Sequence, residues 1–458
     1  MSKSVRKRPA NANNRTHRAP DHPMKIKVLV VFGTRPEVIK LAPVVAALSH
    51  PAGAADASKS PFQPVICFTG QHREMVEPFL EIFDLKPDYD LRVMQENQPL
   101  AGLTARLLVR LDKVFEAEAP DWVIVQGDTT TAMAASLAAF YRKIKVGHVE
   151  AGLRTEDKYN PFPEEINRRL ISHLADLHFA PTRRARENLL KEGLDRRTVF
   201  VTGNTVVDAL RMILKKAEGH DWREKLGGRI KVIKADGQAR NKPGRGNRQA
   251  KNKGRNDARG ENSWLGDILE RGRATDSLAV TTAGSPARPK KLILVTAHRR
   301  ESFGEGMERI CQAISRVIDR VAEAEVIFPV HLNPNVRSVV LKHLSGTERV
   351  HLVEPLDYLT FVYLMKQADL ILTDSGGIQE EAPSLGVPVI IMRDKTERPE
   401  AVEAGVAWLG GTDPEIIEKL AVELLMKVES GEFRRGLKRR NPFGDGHAAT
   451  RIVKRLGT

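Results

Sequence analysis

Three stretches hold more ionisable side chains than a turn requires. GHVEAGLRTEDKYNPFPEEINRR, from Gly147 to Arg169, sets Glu150, Glu156, Asp157, Glu164 and Glu165 beside Arg154, Arg168 and Arg169. Carboxylates in such company can exchange protons with a substrate as general acids and bases. They can equally be a solvated connection that ends in the first-turn acids of a helix, where negative charge suits the dipole. GTRPEVIK puts a glycine turn, the cation Arg35 and a proline at a helix start, whose free N–H groups favour an anion. TDSGGIQEEAPSLG repeats the device, with Ser375, Gly376 and Gly377 able to approach a diphosphate and a helix expected from Ile378. Glu380 and Glu381 follow about one turn later, where a carboxylate can accept the two hydroxyls of a ribose. Neither glycine turn is GxxxxGK[ST] or GxGxxG, so neither implies ATP hydrolysis or NAD. Each by itself could be an ordinary helix start.

The surrounding chain dictates where these stretches sit. Short apolar runs (IKVLVVFG, PVICFTG, DWVIVQGD, KVGHVE, DLHFAPT, VFVTGN) alternate with amphipathic segments, and a second series runs from KLILVTAHRR through EVIFPVHLNP, VHLVEP, LILTDSGG and VPVIIM to AWLGG. That alternation predicts α/β architecture, with two doubly wound Rossmann-like domains of parallel strands covered on both faces. The domains are expected at 24–205 and 206–444, with 445–458 a helix packing back on the N-terminal one. In MERICQAISRVIDRV, Met307, Ile310, Ile314, Val317 and Val321 recur on one helical face. Ligands bind at the carboxyl ends of such strands. Those ends read Thr34-Arg35, Gly70-Gln71, Gly127-Asp128-Thr129, Glu150, Asn204, His298-Arg299-Arg300, His331 and Asp374-Ser375. A sheet needs turn residues there, but not His, Arg, Asp and Glu, so an active site is expected in the cleft between the domains.

The net charge of +15 would suggest nucleic acid if it were spread over a surface. It is not. Residues 1–23 carry six Lys or Arg against Asp21, and residues 229–259 carry eleven against Asp236 and Asp257. These two segments account for fourteen of the fifteen charges. ARNKPGRGNRQAKNKGRNDARG has almost no apolar residue with which to offset ordering entropy. The tail and the insertion (about 229–259, at most 215–290) are therefore expected to be disordered, and nucleic acid is not an expected partner. The chain could start at Met1 or at Met24, where the first strand begins. Cys67 and Cys311 lie in apolar patterns without ligand spacing, as core thiols of a reducing, cytoplasmic compartment do. No apolar run is long enough to span a bilayer.

GTRPEVIK, TGQHREM, QGDTTTAMAASLAAFY, HVEAGLRT, PFPEEINRR, VTGNTVVDAL, TAHRRESFGEG, PVHLNPNVR, LTDSGGIQEEAPSLGVPVI and MRDKTERPEAVEAG together resemble the non-hydrolysing UDP-N-acetylglucosamine 2-epimerases. The resemblance covers nearly all of the chain from Met24 to Leu456 outside about 215–290. It implies a GT-B-like fold, a homodimer, no metal and no nicotinamide. It also implies interconversion of UDP-N-acetylglucosamine and UDP-N-acetylmannosamine by elimination of UDP to 2-acetamidoglucal and re-addition, supplying a cell-surface polysaccharide. The family's catalytic acids match Asp128, Glu150 and Glu164, and its motif histidine matches His298. Its UDP-sugar contacts match Arg35, Lys40, Phe361, Ser375, Gly376, Gly377 and Glu381. Gln71 and His331 match a regulatory second site, whereas Asn97 stands where a cation is common. Gln126 replaces the frequent His before GDT, and Ser302 the usual Asn after HRRE. Glu165 reads as a helix-turn acid, and Glu156 and Asp157 as solvated. A hydrolysing relative, a GT-B glycosyltransferase and a basic protein binding nucleic acid or an anionic surface remain the alternatives, since fold does not fix function.

Overall fold

The computed structural model describes residues 25–50, 60–71, 73–95, 98–220, 222, 226, 230–233 and 291–458. The basic tail, the insertion beyond Ile233, His72 and Asn97 lie outside the described residues. The chain divides into two compact units, one of residues up to Lys215 together with Pro442–Thr458, the other of Lys216–Asn441.

The first unit alternates strand and helix: β1 (Ile26–Phe32), α1 (Arg35–Ser49), β2 (Phe62–Phe68), α2 (Arg73–Ile82), β3 (Tyr89–Asp90), α3 (Leu100–Glu118), β4 (Trp122–Gln126), α4 (Thr130–Tyr141), β5 (Lys145–Val149), α5 (Glu164–Leu174), β6 (Leu177–Ala180), α6 (Arg183–Lys191), β7 (Val199–Val201) and α7 (Thr205–Ala217). The strands form one sheet in the order β3-β2-β1-β4-β5-β6-β7, paired in parallel throughout. The order reverses between β1 and β4. Strands leave that point in opposite directions, so the loops after β1 and β4 diverge and open a crevice at their carboxyl ends. Leu29, Val31, Val123 and Val125 of these two strands are fully buried against Leu107, Leu111, Ala135 and Ala138 of α3 and α4. The small side chains of α4 let it lie close on the sheet, which fixes the loop Gly127–Thr129 ahead of it.

The second unit repeats the plan: β8 (Lys291–Thr296), α8 (Glu305–Arg320), β9 (Ala324–Pro329), α9 (Pro334–Leu344), β10 (Val350–Val353), α10 (Tyr358–Gln367), β11 (Leu370–Thr373), α11 (Gly376–Leu385), β12 (Val389–Ile391), α12 (Pro399–Glu403), β13 (Ala407–Leu409), α13 (Pro414–Lys427) and α14 (Gly431–Arg440). Its parallel sheet runs β10-β9-β8-β11-β12-β13 and reverses between β8 and β11. The apolar face read in α8 is buried at Met307, Ile310, Ile314 and Val317, and Cys311 lies on it. Cys67 is likewise buried in the first unit.

Three expected bounds need correction. The contact boundary falls after Lys215, ten residues beyond 205, because α7 keeps packing on the first unit. Its Val206, Val207, Leu210 and Ile213 are buried, and Asp208 accepts the N–H groups of Ala448 and Ala449 at the start of α15 (Ala448–Leu456). The return of the chain likewise begins at Pro442 rather than 445, with the Asn204 N–H donating to Phe443 O at 2.7 Å. The insertion was also expected to be disordered from about 229, but Ile230–Ile233 are ordered. Val232 bridges Val353 antiparallel, the Ile233 N–H donates to Leu352 O, and the Glu354 N–H donates to Lys231 O. RIKVI still carries three apolar residues, enough to cap the open edge of β10.

Candidate active site

One strand from the reversal point of the first unit, Glu150 follows β5 directly and holds φ +64°, in the left-handed region that a non-glycine residue rarely adopts. Such a conformation costs roughly 1–3 kcal/mol and persists only where surrounding contacts demand it. Here they do. The Glu150 carboxylate is buried and accepts from Lys40 Nζ, from Gln126 Nε2 and, at 3.1 Å, from Asn204 Nδ2. Lys40 comes from α1, Gln126 ends β4 and Asn204 follows β7, so three neighbouring elements converge on one acid. Gln126 is thus a non-titrating donor to Glu150.

Asp128, after β4, receives Arg168 Nε at 2.8 Å and Nη2 at 2.7 Å on the same oxygen. Asn167 Nδ2 donates to the Asp128 carbonyl at 2.9 Å. Burial pushes the Asp128 carboxyl above its ordinary value, outweighing Arg168, which draws it down; the charge of Glu150 adds to the rise. Glu164 is the first residue of α5. Its neighbour Glu165, read as a helix-turn acid, is instead wholly buried. It accepts from Arg168 at 3.0 Å, Arg169 at 3.3 Å and the Thr155 N–H at 3.1 Å. The reason lies in the helix: Glu165, Arg168, Ile171 and Ser172 form its inward face, so one polar pair faces the Asp128 loop. Glu156 and Asp157 are exposed.

The GTRPE turn departs from expectation. The N–H groups of Gly33 and Thr34 are taken by the turn's own Glu37, at 2.9 and 2.7 Å, with the hydroxyls of Thr34 and Thr129 adding bonds at 2.9 and 2.6 Å. Burial raises the Glu37 carboxyl despite these donors. Because that acid occupies the loop's donors, a bound anion would depend on the side chain of Arg35, which is exposed and passes 5.8 Å from the Phe79 ring. Behind the site, His148 Nε2 lies 2.8 Å from Gly127 O, and burial pushes this imidazole down to about 3. It is therefore neutral and donates to the turn that carries Asp128. Gln71 Oε1 accepts from Thr131 at 3.0 Å.

In the second unit the reversal point joins the HRRE and DSGG motifs. Asp374, wholly buried, accepts the N–H groups of His298 and Arg299 at 2.7 and 2.8 Å, and its other oxygen lies 3.2 Å from His298 Nδ1. The His298 and His331 rings stack with centroids 5.8 Å apart. Helix α11 begins at Gly376 rather than Ile378, because Ser375 serves as N-cap with its own N–H held by Thr373 Oγ1 at 3.0 Å. Gly376 and Gly377 are thus the first turn itself. A Cβ on Gly376 would lie 3.7 Å from both the Arg299 and the Arg398 guanidinium. This is a cationic, glycine-lined helix start, suited to phosphate oxygens. Glu397 bridges the two arginines at 3.3 and 3.2 Å; burial alone would raise its carboxyl, but Arg398, Arg299 and Arg393 hold it below the usual range. Glu380 is buried and bonded to Arg398 at 2.6 Å, whereas Glu381 accepts from the Tyr358 hydroxyl at 3.4 Å. Phe361 is half-buried on α10.

Sequence reasoning missed Arg168 with Glu165, Glu37, and Arg398 with Glu397. A signal existed for Arg398: Arg-Pro-Glu recurs at 398–400, opening α12 as residues 35–37 open α1. Asn97 lies outside the described residues. Among the described residues no three His, Cys, Asp or Glu side chains converge as metal ligands would, and no helix is long and apolar enough to cross a membrane.

Two Rossmann-like domains, each with ionisable groups at its reversal point, define the GT-B-like class of α/β proteins. A glycosyltransferase of kitacinnamycin shares that fold at 13% identity, with a TM-score of 0.54. The family model described as UDP-N-acetylglucosamine 2-epimerase matches residues 55–232 and 267–457, and the chain belongs to that family. It is 44% identical to the UDP-N-acetylglucosamine 2-epimerase of Yersinia pestis, over 94% of this chain and 98% of that one. It is 43% identical to that of Bacillus subtilis, over 94% and 95%. The UDP-GlcNAc 2-epimerase of Neisseria meningitidis, solved bound to UDP-GlcNAc, aligns over 94% of this chain and 99% of its own, at 41% identity and a TM-score of 0.72.

Proposed function

We propose that the protein interconverts UDP-N-acetylglucosamine and UDP-N-acetylmannosamine without net hydrolysis. The observation that carries this reading is the pair of separately anchored carboxylates, the partly buried Asp128 and the buried Glu150, at the ends of adjoining strands. Carbon 2 carries a hydrogen of low acidity, so its removal requires a positioned base and a leaving group that departs with charge. One carboxylate takes the proton as the C1–O bond breaks and its electron pair leaves with UDP, giving 2-acetamidoglucal. Re-addition of UDP, with a proton delivered to the opposite face by a second acid, completes inversion. Asp128, Glu150 and Glu164 are the acid–base groups in this reading. His298 and Arg35 face the diphosphate, Ser375, Gly376 and Gly377 cradle it, Glu381 takes the ribose, and Phe361 lies beside uracil. Lys40 neutralises Glu150 until substrate arrives. Gln71 and His331 are retained as a candidate regulatory pair.

The same reading makes the protein a cytoplasmic homodimer that supplies an activated sugar for cell-surface polysaccharide. Its buried thiols suit a reducing compartment. Exposed Val109, Phe140, Tyr141 and Leu170 on the adjoining helices α3, α4 and α5 suit a self-association face. The test is to incubate the full chain with UDP-N-acetylglucosamine alone in D2O and follow products by NMR. UDP-N-acetylmannosamine deuterated at carbon 2 is expected. Free N-acetylmannosamine with UDP would replace the reading by a hydrolysing one, and no turnover at all would end it. Asp128→Asn and Glu150→Gln are expected to reduce turnover by at least about a hundredfold.

A further inference from the structure

Arg168 sits between two carboxylates that sequence reading had kept apart. Its Nε and Nη2 grip one oxygen of Asp128, and its Nη1 reaches the wholly buried Glu165 at 3.0 Å. Glu165 is in turn fixed by the Thr155 N–H and by Arg169. The guanidinium is nearly buried, Glu165 wholly so and Asp128 partly, so this bridge is screened less than a surface pair would be. The neighbouring Asn167 holds the Asp128 backbone, which leaves both the main chain and the side chain of the acid tied to α5. That same helix begins with Glu164. Four residues of helix, a rise of about 6 Å, therefore set the offset between one proposed acid and the clamp on another.

We infer that Arg168, seated by Glu165, is a positioning residue of the epimerisation: it holds the Asp128 carboxylate in one orientation and one charge state relative to Glu164. The inference rests on the reading of Asp128 as an acid–base group. The groups facing Asp128 are Arg168 from α5, Lys40 from α1 and Glu150 after β5. Of these Arg168 alone bonds the side chain among the contacts described. Losing it leaves burial and Glu150, both of which raise the Asp128 carboxyl, opposed only by Lys40. The pH at which Asp128 ionises must then rise. A rotatable carboxylate also spends less time aligned with its proton, a loss that falls on kcat more than on KM.

The test compares Arg168→Met, Arg168→Lys, Glu165→Gln, Asp128→Asn and the double variant Asp128→Asn/Arg168→Met, each in the full chain, by kcat, KM and their pH profiles with UDP-N-acetylglucosamine. Arg168→Met is expected to lower kcat on the order of a hundredfold while KM changes little, and to move the kcat profile to higher pH. Arg168→Lys should recover part of both effects. Glu165→Gln should show a smaller shift in the same direction, and it supplies the answer if Arg168→Met does not fold. In the Asp128→Asn background, Arg168→Met should cost little more. An unmoved pH profile in folded variants, an effect confined to KM, or an undiminished cost in the Asp128→Asn background would each overturn the inference while leaving the proposed function intact. Full turnover by Asp128→Asn would overturn both.

Discussion

At the scale of single residues, each proposed acid of the first unit is read best through its partner. Glu150 and Lys40 are both nearly buried, and a buried charge that loses its partner costs far more than a surface one. Lys40→Met should therefore destabilise the first unit by about 3–5 kcal/mol in denaturant unfolding, as well as slowing turnover. A loss below about 1 kcal/mol would mean that Gln126 and Asn204 alone suffice to hold the carboxylate. How much of this was legible in the sequence differs by residue. Asp128 and Glu150 could be picked out because each ends an apolar run, a purely local pattern. Their anchors could not, since Lys40 lies 110 positions from Glu150 and Arg168 lies 40 from Asp128. Glu165 was misread for the same reason: a helix N-terminal acid looks solvated until something packs over it.

At the scale of elements, the loop between β5 and α5 is held against α6 by backbone approach. Gly152 has φ +90°, and a Cβ there would lie 2.1 Å from the carbonyl oxygen of Ala185. Asn188 Nδ2 also donates to the Gly152 carbonyl at 3.0 Å. Gly152→Ala is expected to cost several kcal/mol, on the order of other strained or overpacked backbone sites, and to depress turnover by shifting Glu150 two residues upstream. Thermal unfolding and kcat measured on the same preparation check it, and a midpoint within about 1 °C of wild type would refute it. Helix starts were the best-read elements. Proline and glycine placed α1 to within one residue and α11 to within two, and the error at α11 arose because Ser375 caps the helix ahead of both glycines.

At the scale of the whole molecule, fourteen of the fifteen net charges lie in residues 1–23 and 229–259, most of them outside the described residues, while the rest of the chain is close to neutral. The pH response of the fold then depends on buried groups such as His148. Its folded-state value of about 3 lies below the ordinary 6.5, so below 6.5 the unfolded chain takes up a proton that the native unit refuses. The stability contribution is full above 6.5 and is lost progressively as pH falls towards 3, with a slope of up to about 1.4 kcal/mol per pH unit. His148→Gln keeps a donor for Gly127 O and should flatten that slope in denaturant titrations from pH 7 to 4. His178, also buried and held low, remains in the variant, so a residual slope is expected. An unchanged slope would exclude His148 as a source.

The order of elements, the parallel sheets, the polar strand ends and the helix starts were all determined by the sequence itself, because period, caps and turn residues act within a few positions of one another. Family membership followed from motifs of the same local kind. Only the tertiary structure decided which charges pair, that Glu165 is buried, that Glu37 takes the N–H groups of the GTRPE turn, and that α7 and the segment from Pro442 belong to the first unit. Those outcomes depend on burial, and burial is a property of what packs over a residue from elsewhere in the chain.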